Sequence, residues 1–150
     1  MEGLTIHPLA QDDVEAVVRI TRATPEAAQW IDAEFSRVAR VESPEMQAWV
    51  ADLAGDCVGF VVTRRAADEI EILNLAVEGA QRGKGIGWQL VEQALVAARE
   101  TGAARAFLEV RESNQVAVSL YMRHGFRQAG RREAYYSAPE EAALILARDL

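Results

Sequence analysis

Apolar positions change their period along this chain, and the changes mark its elements. Leu4, Ile6 and Pro8 outline a short opening strand whose far end the proline weakens. Val14, Val17, Val18 and Thr21 then recur at helical spacing behind Asp12 and Asp13, either of which can cap a helix. Thr24-Pro25 predicts a second helix start, a cap followed by proline at the first helical position. Ala27, Trp30, Ile31, Phe35 and Val38 form its stripe, and Ser43-Pro44 ends it. Residues 47–53, 57–64 and 69–77 read as strands, parted by the turn signals Ala54-Gly55-Asp56 and Ala66-Ala67-Asp68. Connections this short predict an antiparallel meander.

After Val77 the period shifts. Leu90, Val91, Ala94, Leu95 and Ala98 keep helical spacing, and Gly102 stands where a helix-ending glycine belongs. Residues 104–111 alternate, with Ala106, Leu108 and Val110 on one face and Arg105, Phe107, Glu109 and Arg111 on the other. Strand 70–77, a loop, a helix over 88–101 and strand 104–111 therefore make a βαβ unit with a parallel pair. A short helix over 114–124 ends at Gly125, and residues 126–131 and 142–147 predict two closing strands. The expectation is one α/β domain over residues 1–150, an α+β mixed sheet. A TIM barrel or a doubly wound sheet needs a repeating βα pattern that is missing.

Composition narrows the class. Half of the 150 residues are apolar and 26% are charged, the usual globular mix. No apolar run is long enough to span a bilayer, and the first residues lack the pattern of a signal peptide. The single cysteine, Cys57, excludes an internal disulfide and is expected to be a small buried apolar residue in a reducing compartment. A formal charge of −7 argues against nucleic acid as a partner and is compatible with a cationic substrate. His7 and His124 lie far apart with no ligand spacing around either, so no metal site is indicated.

The candidate chemistry starts at Arg82-Gly83-Lys84-Gly85-Ile86-Gly87, followed by Trp88. Glycines between a strand end and a helix start let backbone N–H groups approach an anion, where the helix dipole also favours negative charge. The P-loop string is absent. A dinucleotide fingerprint would take Gly83 and Gly85 and use Glu109 on the ribose, but Trp88 occupies its third glycine position. A purely structural glycine loop is the plain alternative. The stretch also matches [Q/R]-x-x-G-x-[G/A], and here it resembles the pyrophosphate loop of the GNAT family of acetyl-CoA-dependent N-acetyltransferases. In that family the loop follows the fourth strand and opens the third helix after a meander, which is its placement here.

Leu73-Asn74-Leu75-Ala76-Val77, the run from Leu108 to Asn114, Leu120-Tyr121, Gly125-Phe126 and Tyr135-Tyr136 resemble the RimI-type branch of that family. The resemblance implies a sheet splayed between its fourth and fifth strands, a cytoplasmic enzyme, and acetyl transfer to the N-terminal amine of a ribosomal protein. It implies that the amides from Gly83 to Trp88 hold the pyrophosphate and that the backbone of Leu75, Ala76 and Val77 holds the pantetheine arm. An N–H near Val77 would polarise the acetyl carbonyl. Asn114 would touch the cofactor, although a helix cap explains it equally well. Glu109 would be the base, against the plain reading of an ion pair with Arg105 or Arg111. Tyr121 would be the acid, against that of a core tyrosine. An α-amine near pKa ~8 offers about 250-fold more free base at pH 7 than a lysine near ~10.4, which favours an N-terminal acceptor for a modest base. In the segment 24–30, where RimI-type chains carry a Phe-Pro-Trp-like motif, this chain departs, so a small cationic amine or a lysine stays open as acceptor. A CoA-binding module without turnover is the alternative of another class.

Overall fold

The computed structural model describes residues 2–137 and 139–150. Chain order runs β1 (Leu4–Pro8), α1 (Val14–Arg22), α2 (Asp32–Ala39), β2 (Met46–Leu53), β3 (Asp56–Ala66), β4 (Glu69–Val77), α3 (Ile86–Glu100), β5 (Arg105–Arg111), α4 (Gln115–Arg123), β6 (Arg127–Tyr136) and β7 (Glu141–Asp149). The strands form one mixed sheet in the order β1-β2-β3-β4-β5-β7-β6. The first four make the expected antiparallel meander, β5 lies parallel to β4, and β7 inserts antiparallel between β5 and β6.

Helices cover both faces because the strands bury side chains on both. Leu90, Val91, Ala94 and Leu95 of α3 pack over Val61, Ile70, Ile72, Ala106 and Leu108. Val14, Val17 and Ile20 of α1 join Phe35 and Val38 of α2 over Val50, Phe60 and Val62 on the other face. Phe35 meets Phe60 edge-on at 5.3 Å and Trp30 at 5.4 Å. Each such large side chain stabilises the fold by about 1.5–3 kcal/mol through burial. Cys57 is buried among them, and burial pushes its thiol up to about 11, which leaves it protonated and unreactive. No helix among the described residues is long and apolar enough to cross a membrane.

The second helix starts later than Thr24-Pro25 predicts. The Thr24 hydroxyl donates to the Ile20 carbonyl at 2.8 Å, so Thr24 closes α1 and opens nothing. Gln29 donates its side-chain N–H groups to the carbonyls of Thr21, Thr24 and Ala27 at 3.1, 3.0 and 2.9 Å. Buried Asn74 accepts from the Ala28 N–H at 3.2 Å and donates to the Ala28 carbonyl at 2.9 Å. These bonds hold residues 24–31 in irregular backbone, and α2 begins at Asp32. Ile31 is exposed, and the buried stripe begins at Phe35.

The feature that makes room for a site lies in β4. It pairs with β5 over only three residue pairs, from Glu69↔Arg105 to Glu71↔Phe107. In the β3–β4 ladder Val62 faces Asn74 and Thr63 faces Ile72, so Leu73 is an extra residue. An extra residue bends its strand and raises the local twist. The bend coincides with the point where β4 parts from β5. It also exchanges faces: Ile70, Ile72, Leu75 and Val77 pack on the α3 side, while Ala76 packs with α1 and Asn74 reaches the 24–31 segment.

The two histidines should make opposite contributions to stability near neutrality. At His7, burial lowers the pKa, but a 2.9 Å contact with the Pro8 carbonyl and a 2.5 Å contact with Asp52 outweigh it, and the net shift is upward from 6.5. Its stabilisation is therefore full below 6.5 and is lost as pH rises through the raised value. At His124, burial against Trp88 lowers the pKa, only partly offset by the Trp88 carbonyl and Glu92. Its neutral form is the stabilising one, and that contribution is lost as pH falls below 6.5. Urea midpoints at pH 5.5 and 8 should show His7→Gln tilting stability toward high pH and His124→Gln tilting it toward low pH. Parallel shifts in both variants would contradict this.

Candidate functional site

The glycine loop folds as a turn that presents free amides. Gly83 and Gly85 sit at φ +79° and +86°, a region open to glycine, and Gly85 is the N-cap of α3. The amides from Gly83 to Trp88 have no hydrogen-bond acceptor among the described residues; the first N–H bonded back into the loop is that of Gln89, to Gly85 at 3.1 Å. Together with the dipole of the 15-residue α3, this is a cradle for an anion. A side chain at Gly87 would meet Leu120 Cδ2 at 3.4 Å and Val77 Cγ2 at 3.8 Å, so glycine keeps the floor of the cleft open.

That floor belongs to a cleft of ≈ 600 Å³. One wall is Leu75, Ala76 and Val77 of β4, a second is Gly83, Gly85, Ile86, Gly87 and Trp88, and a third is Asn114, Ala117 and Leu120 at α4. Arg82 lines it too, with its guanidinium engaged by the Val77 carbonyl at 3.0 Å and the Thr24 hydroxyl at 3.1 Å. Arg82 thus braces the loop against β4 and the 24–31 segment. Lys84 is exposed beside the cleft with its ammonium on Gln81 at 3.1 Å. Trp88 stacks on His124 with ring centroids 3.5 Å apart. Asn114 caps α4 by accepting from the Ala117 N–H at 3.3 Å and also lines the cleft.

A second cavity of ≈ 350 Å³ opens where β4 and β5 part. It is lined by Leu73, Asn74 and Leu75 from β4, by Leu108 to Arg111 from β5, and by Asn114, Tyr121 and Tyr136. Glu109 is half-buried here, with Arg132 at 3.4 Å. The Tyr135 hydroxyl lies beside Glu109, and hydrogen bonding to that carboxylate is the first cause that raises its pKa. The ion pairs that the sequence offers to Glu109 go elsewhere: Arg105 binds Glu69 at 3.0 Å and Arg111 binds Glu141 at 3.2 Å. Tyr121 is buried, its ring edge-on to Phe126 at 5.6 Å, and burial drives its phenol pKa far up. It therefore stays protonated, a donor through the whole neutral range.

Glu26, Ala27, Leu75, Asn114 and Ala117 line both cavities, so the two adjoin through one shared wall. Glu109 and Tyr121 stand on one side of that wall and the amide cradle on the other. Thr24, Glu26, Ala27 and Arg123 border the first cleft. The sequence points to residues 24–30 only through the acceptor side, because Thr24-Pro25 predicts a helix start there rather than a cleft wall. Arg123 carried only the weak signal of a cation in the last turn of a helix that ends beside the loop.

The acetyltransferase (GNAT) family matches residues 14–126 of the chain. N-alpha-acetyltransferase RimI of Mycobacterium tuberculosis is 32% identical over 124 residues, covering 80% of this chain and 75% of that one. The crystal structure of the ribosomal-protein-S18-alanine N-acetyltransferase from Escherichia coli superposes with a TM-score of 0.84 at 28% identity, covering 97% of this chain and 93% of that one. NAA60 of Arabidopsis thaliana in complex with acetyl-CoA shares the fold, with a TM-score of 0.84 at 19% identity and coverage of 98% on both sides.

Proposed function

The chain belongs to the acetyltransferase (GNAT) family and is an acyltransferase, and from that premise we propose that it moves an acetyl group from acetyl-CoA to the N-terminal α-amine of a protein, a ribosomal protein being the first candidate. The observation that carries the reading is the shared wall: an amide cradle and a carboxylate–tyrosine pair open onto two sides of Leu75 and Asn114. The relatives named for N-terminal and ribosomal-protein acetylation support the acceptor. We take residues 1–150 as one catalytic domain working in the cytoplasm.

The cradle residues fit the cosubstrate. Unpartnered N–H groups from Gly83 to Trp88 match a pyrophosphate, and the glycine at 87 leaves the width that a side chain would fill. The edge of β4 beyond Glu71 has no strand partner among the described residues, so the backbone of Leu75, Ala76 and Val77 can pair with the amides of an extended arm. Bound acetyl-CoA supplies an activated thioester. A backbone N–H near Val77 would polarise its carbonyl.

Glu109 takes the proton of the incoming ammonium, directly or through one water. Among the described residues its one cation is Arg132, at 3.4 Å on an exposed side chain that an ammonium can displace. Tyr121 would donate a hydrogen bond to the departing sulfur. With its pKa raised by burial, it acts less as a full proton donor than as a hydrogen bond that tightens as charge gathers on the thiolate.

The test is thiol release from acetyl-CoA with two peptides carrying a ribosomal-protein N-terminus and one internal lysine, the second peptide with its α-amine blocked. Turnover on the free peptide alone is expected. Turnover on both assigns a lysine acceptor, and turnover on neither with acetyl-CoA still bound turns the search to small cationic amines.

A further inference from the structure

We infer that Arg111 and Glu141 form a clamp that fixes the geometry of the acceptor side, which makes Arg111 a positioning residue for the incoming amine. The inference rests on reading the β4–β5 cavity as the acceptor site.

Arg111 follows Glu109 by two residues on the same face of β5 and lines the same cavity. Its Nη1 donates to Glu141 Oε1 and to the Pro139 carbonyl, each at 3.2 Å, and its Nη2 donates to the Ser137 carbonyl at 3.3 Å. The guanidinium also lies over the Tyr136 ring, 4.3 Å from its centroid. The second oxygen of Glu141 accepts the Ser113 N–H at 2.7 Å, one residue before the Asn114 cap of α4. One ion pair therefore ties together three segments that border this cavity, adding to the β5–β7 ladder that ends at Arg111↔Ala143. They are the end of β5 with Glu109, the start of the helix that carries Tyr121, and the β6–β7 turn with Tyr136.

The chemistry suits a fixed strut. A planar guanidinium reaches two carbonyls, a carboxylate and an aromatic face at once, which an ammonium cannot do. Both partners are largely covered, with side chains 24% and 15% exposed. Hydrogen bonds from Ser113 and then Arg111 hold the Glu141 carboxyl below its usual range, so the pair stays charged at neutral pH. Its pairing with Glu141 also offsets the Arg111 charge beside Glu109, which must meet a cationic amine.

Kinetics of Arg111→Met on the free α-amine peptide should raise the acceptor KM about tenfold, with the acetyl-CoA KM within about twofold of wild type. Arg111→Lys should recover part of the loss, since it keeps the charge pair and drops the carbonyl bonds and the stack. Amide hydrogen exchange should quicken at Ser113 and stay unchanged in α3. An unchanged acceptor KM in folded Arg111→Met overturns the inference, as does an equal rise in both KM values, the mark of a general loss of structure. Wild-type protein without turnover on the peptide would sink the acceptor reading alone. Exchange at Ser113 then decides the clamp, which faster exchange in Arg111→Met upholds and unchanged exchange refutes.

Discussion

Glu109→Gln should lower kcat by about 10²-fold or more while leaving acetyl-CoA affinity within about twofold. Glutamine keeps the shape of the side chain and its hydrogen-bonding reach toward Tyr135, and it loses the capacity to accept a proton. The cosubstrate cleft lies across the wall formed by Leu75 and Asn114, and Glu109 does not border it, so binding there should survive. The deficit should also shrink as pH rises. With an α-amine near pKa ~8, about a tenth of the acceptor is free base at pH 7 and most of it at pH 9, where a base has less to do. Tyr121→Phe should cost less, about tenfold, because it removes one hydrogen-bond donor and retains the ring on Phe126. Steady-state rates from pH 6.5 to 9.5 test both. A wild-type rate in Glu109→Gln, or a deficit that does not change with pH, would remove Glu109 from the proposed role.

Phe126→Ala should cost about 3–5 kcal/mol, read as a lower urea midpoint at unchanged slope. Phe126 is fully buried directly after the turn at Gly125, and its N–H returns to the Tyr121 carbonyl at 3.0 Å. Its ring is the surface against which Tyr121 rests, so the fraction that still folds should also lose turnover. Domains of this size hold only about 5–15 kcal/mol in total, so the variant approaches the limit of folding. Phe126→Leu, which keeps most of the volume, should lose less than about 1.5 kcal/mol and keep most activity. A loss that small for alanine would mean that the core closes over the gap.

Much of this was legible in the sequence where the chain's own local chemistry decides. Glu69–Val77 is the strand that alternation and the turn at residues 66–68 predict, and Gly83 and Gly85 have the positive φ that their placement before a helix suggests. The parallel pairing of β5 with β4 followed from a strand, a helix and a strand in succession. Two features were out of reach because distant residues decide them. The 24–31 segment carries a sound helix start and is held irregular by Asn74, 46 residues along the chain from Ala28. The extra residue at Leu73 has no glycine or proline to announce it, and only the β3–β4 register exposes it. In the site, residue types near the loop and on β5 were readable, while the partners that tune them were not. Arg132, not Arg105 or Arg111, stands beside Glu109, a pairing set by the sheet order β5-β7-β6, which the chain order does not show.

The parting of β4 from β5 has a consequence for how the protein can change. In the proposed reading the cosubstrate arm pairs with the backbone of β4 beyond Glu71, so that part of its recognition does not depend on which side chains Leu75, Ala76 and Val77 carry, provided they still pack. Most substitutions there register as packing, and only the glycines at 83, 85 and 87 register as binding. The opposite lip, from residues 24–31, Arg132 and Tyr136, is made of side chains and of backbone held by side chains. If the proposed site assignment holds, inheritance can rewrite the acceptor half while the donor half stays chemically constant, and a change of substrate need not disturb the capture of the acyl donor.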